Sequence, residues 1–152
     1  MLASGAHEDL GHRLITVSRR YRRVMDTVFA AHGLSTASTL PLRFLARQNR
    51  PYRQKELADH LDIEGPTLVR VLDTLVARGF VMRSEDPEDR RAKLISVTDR
   101  GHAFLGSLAS PLGALRHEIF AGVPDEEVEM ARRLLDRLEA NIDTLLSATT
   151  KA

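Results

Sequence analysis

The sequence contains no cysteine, which excludes disulfides, thiolate metal sites and cysteine-based redox sensing together. It also lacks any apolar run near the roughly 20 residues that a membrane-spanning helix needs. Its start, MLASGAHEDLGHR, does not show the basic-then-apolar order of a signal peptide. A cytoplasmic protein, neither exported nor inserted into a membrane, is the expectation. An excess of one charge is missing too: 22 Lys and Arg face 21 Asp and Glu, a formal net of +1. That is far from the basicity that announces a nucleic-acid binder by composition, so any DNA affinity must come from a few well-placed charges. No phosphate-binding glycine loop, nucleophile motif or paired-acid signature occurs, which argues against an enzyme and calls for no cofactor. His7, His12, His32, His60, His102 and His117 stand at no metal-ligand spacing.

What is present is ordinary for a soluble domain: 152 residues, 43% hydrophobic and 28% charged. That length suits one domain with a modest core, or one subunit that completes its core against a partner. Leu10, Leu14, Val17, Tyr21, Val24 and Val28 repeat at three and four, the stripe of an amphipathic helix expected over Glu8 to Ala31. Gly33 follows as a stop, and Ser35 suits the N-cap of a second helix carrying Leu40, Phe44 and Leu45, within which Pro41 sits awkwardly. Near the end, Pro124 suits a first helical turn, and Val128, Ala131, Leu135, Leu138, Ile142 and Leu145 form another seam. Between the two, Phe104, Leu108, Leu112, Leu115 and Ile119 mark a helix that Pro111 must bend or break. Long seams at both ends of a small chain fit subunit pairing, and fit equally a helical bundle within one chain.

The stretch RQKELADHLDIEGPTLVRVLDTLVARGF, Arg53 to Phe80, reads as two helices around a tight turn. Ala58, Ile63, Leu68 and Val71 occupy the small and apolar positions of a helix-turn-helix. Asp62 replaces the usual turn glycine and tolerates the left-handed conformation well. Burying Leu68, Val71, Leu72 and Leu75 leaves Pro66, Thr67, Val69, Arg70 and Thr74 outward, the face that a recognition helix offers to base edges. There Arg70 can donate two bonds to guanine, Thr67 can reach a base or phosphate, and Val69 can meet a thymine methyl. The same face also fits a solvated helix.

FVMRSE and AKLISV then alternate as half-buried strands around the tip DPEDRR, which contains a turn-forming Asp-Pro. A hairpin directly after a recognition helix makes a winged helix, whose tip would place Arg90 or Arg91 at a narrow minor groove. Asp89 is expected to brace that tip by pairing with Arg91 or by accepting backbone N–H bonds. Thr98 suits the cap of the returning helix, and Gly101 relieves crowding in its first turn.

IEGPTLVRVLDTLVARGFVMR followed by DPEDRRAKLISVTDRG resembles the MarR family of bacterial transcriptional regulators, and within it the SlyA-like branch. Asp89 and Arg91 match the family's wing pattern of Asp, any residue, Arg, while Val97, Thr98 and Gly101 match its closing leucine, threonine and glycine. The resemblance implies a mainly α fold with a small β-hairpin wing: a winged helix-turn-helix lobe over residues 35–100 and a helical dimerisation region over 8–31 and 102–148. It implies a homodimer whose seam residues Leu10, Leu14 and Val17 meet Leu135, Leu138, Ile142 and Leu145. Its two lobes would read a pseudo-palindrome in double-stranded DNA with half-sites about 10 base pairs apart. It further implies a pocket for a small amphipathic, aromatic or anionic effector that weakens DNA binding, with repression as the mode. The chain departs from the pattern at Thr39, where many relatives have tryptophan, at Gly65, where a polar side chain is frequent, and at Pro111.

From Tyr52 to Gly101 nine Lys or Arg stand against ten Asp or Glu, so affinity must come from local clusters. Arg43, Arg47, Arg50, Arg53 and Lys55 form one, and Arg90, Arg91 and Lys93 the other, with Gln54 placed to bond phosphate at a helix N-terminus. Arg19, Arg20, Arg22 and Arg23 beside Tyr21 suit either a carboxylate ligand or a solvated helix face. A winged-helix module that binds protein instead of DNA is the competing reading.

Overall fold

The structure, a computed structural model, describes residues 4–89 and 91–149. Seven helices and three short strands occur among them: α1 Ser4–Ala30, α2 Thr36–Gln48, β1 Tyr52–Arg53, α3 Gln54–Leu61, α4 Gly65–Ala77, β2 Val81–Glu85, β3 Lys93–Val97, α5 Asp99–Ser107, α6 Ala109–Ile119 and α7 Asp125–Thr149. The mainly α fold with a β-hairpin is as the sequence indicates. The chain divides into two compact units after Leu115.

In the first unit, α1 starts a turn earlier than its seam suggests and stops at Gly33, whose φ is 64°. Ser35 caps α2 as expected: its Oγ accepts the Ser38 N–H at 3.1 Å, and the Ser38 Oγ accepts the Ser35 N–H at 2.8 Å. Asp26 of α1 adds a second cap by accepting the Thr36 N–H at 2.5 Å, a bond that holds its carboxyl below the usual range. α2 runs on through Pro41, which is buried, and Thr39 bonds its hydroxyl back to the Ser35 carbonyl at 2.9 Å. Leu42, Leu45, Leu57, Leu68, Leu72, Leu75 and Ile95 are almost fully buried, each contributing about 1.5–3 kcal/mol of apolar burial. They join α2, the two short helices and the sheet into one core.

Pro111 breaks its helix rather than bending it. The break falls at Leu108, where α5 gives way to α6, so Pro111 lies in the first turn of the new helix, the place where its missing N–H costs nothing. The strand that the sequence reading missed is β1. It pairs antiparallel with β3, Tyr52 opposite Ile95 and Arg53 opposite Leu94, making a three-stranded sheet of order β1-β3-β2. Two residues are too few to show an alternating pattern.

The second unit consists of the end of α6 and of α7. α7 buries none of its residues fully, and Val128, Met130, Leu135, Ile142 and Leu145 are all exposed, with Leu138 half-buried. In the first unit α1 is similarly exposed along Leu10, Leu14, Val17, Tyr21 and Val24, and enters the core with Met25 and Phe29, against which Val28 packs partly buried. Among the described residues no helix is long and apolar enough to cross a membrane.

Candidate nucleic-acid interface

α3 ends where Asp62 adopts φ 50° and ψ 48°, the left-handed turn that the sequence assigns to it. The Ile63 N–H reaches back to the Ala58 carbonyl at 3.1 Å, so Ala58 and Ile63 close the angle between α3 and α4, and both pack partly buried on the core. Leu68, Leu72 and Leu75 form the inner face of α4, with Val71 beside them. Pro66, Thr67, Arg70 and Thr74 are exposed on the outer face, and Val69 is half-buried at its margin. Pro66 in the first turn needs no N–H partner, which is why a helix can begin on Gly65-Pro66.

β2 leaves the core after its first residue: Val81 is buried, while Met82 through Glu85 are exposed. Its register with β3 runs from Val81 opposite Val97 to Glu85 opposite Lys93. Arg83 on β2 ties back to Asp73 on α4 at 2.8 Å. At the base, the Thr98 hydroxyl donates to the Gly79 carbonyl at 2.6 Å and accepts the Gly101 N–H at 3.1 Å. A Cβ on Gly101 would stand 2.2 Å from the Phe80 carbonyl oxygen, so this position is crowded, but by the backbone ahead of β2 and not by its own helical turn.

The hairpin tip is held by carboxylates. Asp86, only 4% exposed, accepts the Glu88 N–H at 2.8 Å and pairs with the Arg53 Nε at 2.6 Å. These bonds, the backbone one first, hold its carboxyl below the usual range despite burial. Asp89 braces the turn by accepting the Arg91 N–H at 3.0 Å, the second of the two roles open to it. Lys93 leans across to Glu85 at 3.4 Å. Arg90 lies outside the described residues.

Two members of the basic cluster ahead of α3 are engaged internally. Arg50 pairs with Glu56 at 2.7 Å and lies 3.5 Å from the centre of the Tyr52 ring, while Arg53 is the partner of Asp86 and Glu88. Arg53 fastens the hairpin tip to the start of α3, whereas Arg50 ties the segment before β1 to α3. Arg70, Lys55 and Arg91 are exposed and enter no ion pair among the described residues. Gln54, Lys55, Asp89, Arg91 and Lys93 line a recess of about 390 Å³ between the first turn of α3 and the tip. No His, Asp and Glu group able to hold a metal occurs among the described residues.

A helix-turn-helix pair followed by a hairpin that is pinned to it from both sides defines a winged-helix protein. The model of the MarR family matches residues 42–93, from α2 to the start of β3. A transcriptional regulator, PA3341, is 34% identical with a TM-score of 0.79, the match covering 89% of this chain and 98% of that one. A MarR-family transcriptional regulator from Rhodococcus sp. RHA1 is 26% identical with a TM-score of 0.78, over 91% of this chain and 96% of that one. A mutant MarR from E. coli, solved in complex with operator DNA, is 25% identical with a TM-score of 0.77, over 86% and 93%. The chain belongs to the MarR family of transcriptional regulators.

Proposed function

We propose that this protein is a sequence-specific double-stranded DNA-binding regulator that acts in the cytoplasm as a homodimeric repressor on a pseudo-palindromic operator. The observation that carries the reading is the arrangement of Thr67, Arg70 and Arg91: an outward helix face and a pinned hairpin, with both arginines outside any ion pair among the described residues. An unpaired guanidinium keeps its fork for base or phosphate oxygens. Pro66, Thr67, Val69 and Arg70 read the major groove, Arg90 and Arg91 reach the minor groove, and Gln54 with Lys93 contacts phosphate. Asp89 acts by shaping the tip. The operator complex of the E. coli mutant MarR supports this use of the fold.

Residues 35–100 form the DNA-reading lobe; 8–31 and 102–148 form the dimerisation region. The bare stripes of α1 and α7, Leu10, Leu14 and Val17 with Leu135, Leu138, Ile142 and Leu145, are the faces that a second copy covers. An exposed apolar seam of that length signals association. The SlyA-like wing motif and release by a small aromatic or anionic effector complete the proposal. Salt titration tests it. Phosphate neutralisation makes the logarithm of the binding constant fall linearly with that of salt, by about 0.9 per phosphate contacted. A flat response, or no complex at low salt, would point instead to a winged helix that binds protein.

A further inference from the structure

The C-terminal ends of α1 and α4 stop in the same way, and they meet. Gly33 and Gly79 take left-handed φ values of 64° and 70°. Each is flanked by the paired bonds of a Schellman stop: Leu34 N–H to Phe29 O with Gly33 N–H to Ala30 O, and Phe80 N–H to Leu75 O with Gly79 N–H to Val76 O. A helix end of this kind still presents carbonyl oxygens and negative partial charge, and the last turn of α1 carries no basic residue of its own. α4 supplies the cation. Arg78, its C-cap, donates from Nη1 to the His32 carbonyl at 2.6 Å and from Nη2 to the Gly33 carbonyl at 3.4 Å. A Cβ on Gly33 would lie 3.1 Å from that second nitrogen, so the missing side chain also admits the guanidinium fork. A second link runs through rings: His32 meets the edge of Phe104 at 5.3 Å, and Phe104 stacks on Phe80 at 4.4 Å.

We propose that Arg78 is a positioning residue that sets the angle between α1 and the recognition helix, and through it the operator spacing that the dimer accepts. The inference rests on the DNA-reading dimer proposed above. Arg78 stands at the far end of α4 from Arg70, eight residues or about 12 Å along the axis, and its guanidinium is occupied by α1. It therefore leaves base contacts alone and acts on where α4 points. Because α1 also carries the bare stripe assigned to the partner, rotation at this joint changes the separation of the two recognition helices.

The test compares the full chain with Arg78→Gln and Arg78→Lys. Each is titrated with duplexes whose half-sites are constant and whose separation varies in single base pairs. In parallel, because the chain has no cysteine, spin labels on Ser18→Cys and Thr67→Cys report the distance from α1 to α4 without DNA. Arg78→Gln should bind the preferred spacing roughly 2- to 30-fold more weakly, the range that such coupling residues reach. It should also flatten the spacing preference, keep the base preference within each half-site, and broaden the distance distribution. Arg78→Lys, with a charge but no fork, should recover part of each effect. A purely structural role would lower affinity equally at all spacings, and that result would overturn the proposal, as would an unchanged spacing profile. If the parent binds no duplex, the DNA reading fails, and the distance distribution alone decides: unchanged width in Arg78→Gln overturns the tie, broadening upholds it.

Discussion

Arg70 and Asp86 show how differently two charged residues are used in one small lobe. Arg70 is exposed and enters no ion pair among the described residues, so Arg70→Ala should leave stability nearly unchanged. Its cost should appear in binding, about 1–3 kcal/mol with specificity relaxed at one base position, as read by competition between single-base operator variants. Asp86 is enclosed by the Glu88 amide and Arg53. Because folding depresses its pKa, its contribution to stability is present above the unfolded value of about 3.9 and is lost as pH falls through the folded one. Urea unfolding of the parent and of Asp86→Asn should thus differ near neutral pH and converge in acid; a constant gap would mean that the charge of Asp86 is irrelevant. Gly101→Ala forces a Cβ onto a backbone oxygen and should cost about 1–3 kcal/mol, seen as a lower unfolding midpoint. Asp62 and the Thr98 cap on the Gly101 N–H were legible in the sequence because they depend on neighbours along the chain; the Phe80 carbonyl that excludes a side chain at Gly101 stands 21 positions away and was not. The Arg53–Asp86 pair joins residues 33 positions apart, and nothing local distinguishes it from any other charged pair.

At the scale of elements, the short helices and the hairpin were legible from apolar spacing and turn residues, and so was a disruption at Pro111. The position of that break was not, since a proline acts on the turn before it and the α5–α6 junction lies at Leu108. β1 escaped because its two residues are a strand only through pairing with β3. That pairing and the Arg53 clasp tie the hairpin to the start of α3. Arg91→Ala should accordingly weaken binding most at operators whose flanking minor groove is narrow, measured on A·T-rich and G·C-rich flanks. Equal loss on both would remove Arg91 from the groove.

For the whole molecule, the sequence left open whether its terminal seams close within one chain or between two. The apolar stripes of α1 and α7 are exposed, and in the homodimer proposed above a second copy covers them. Val17, Ile142 and Leu145 are 62%, 54% and 68% exposed, so replacing Ile142 and Leu145 by Asp should yield a folded monomer in light scattering, with DNA affinity falling as the second lobe is lost. A dimer that survives both changes would place the contact elsewhere. The central claim, that this scaffold reads DNA sequence as a pair, is tested most directly by selection from a random duplex pool followed by sequencing. The salt should be about 0.15 M, where non-specific phosphate contacts are weakened. One pseudo-palindromic motif with half-sites about 10 base pairs apart is the expected result; folded protein that enriches no motif would contradict it.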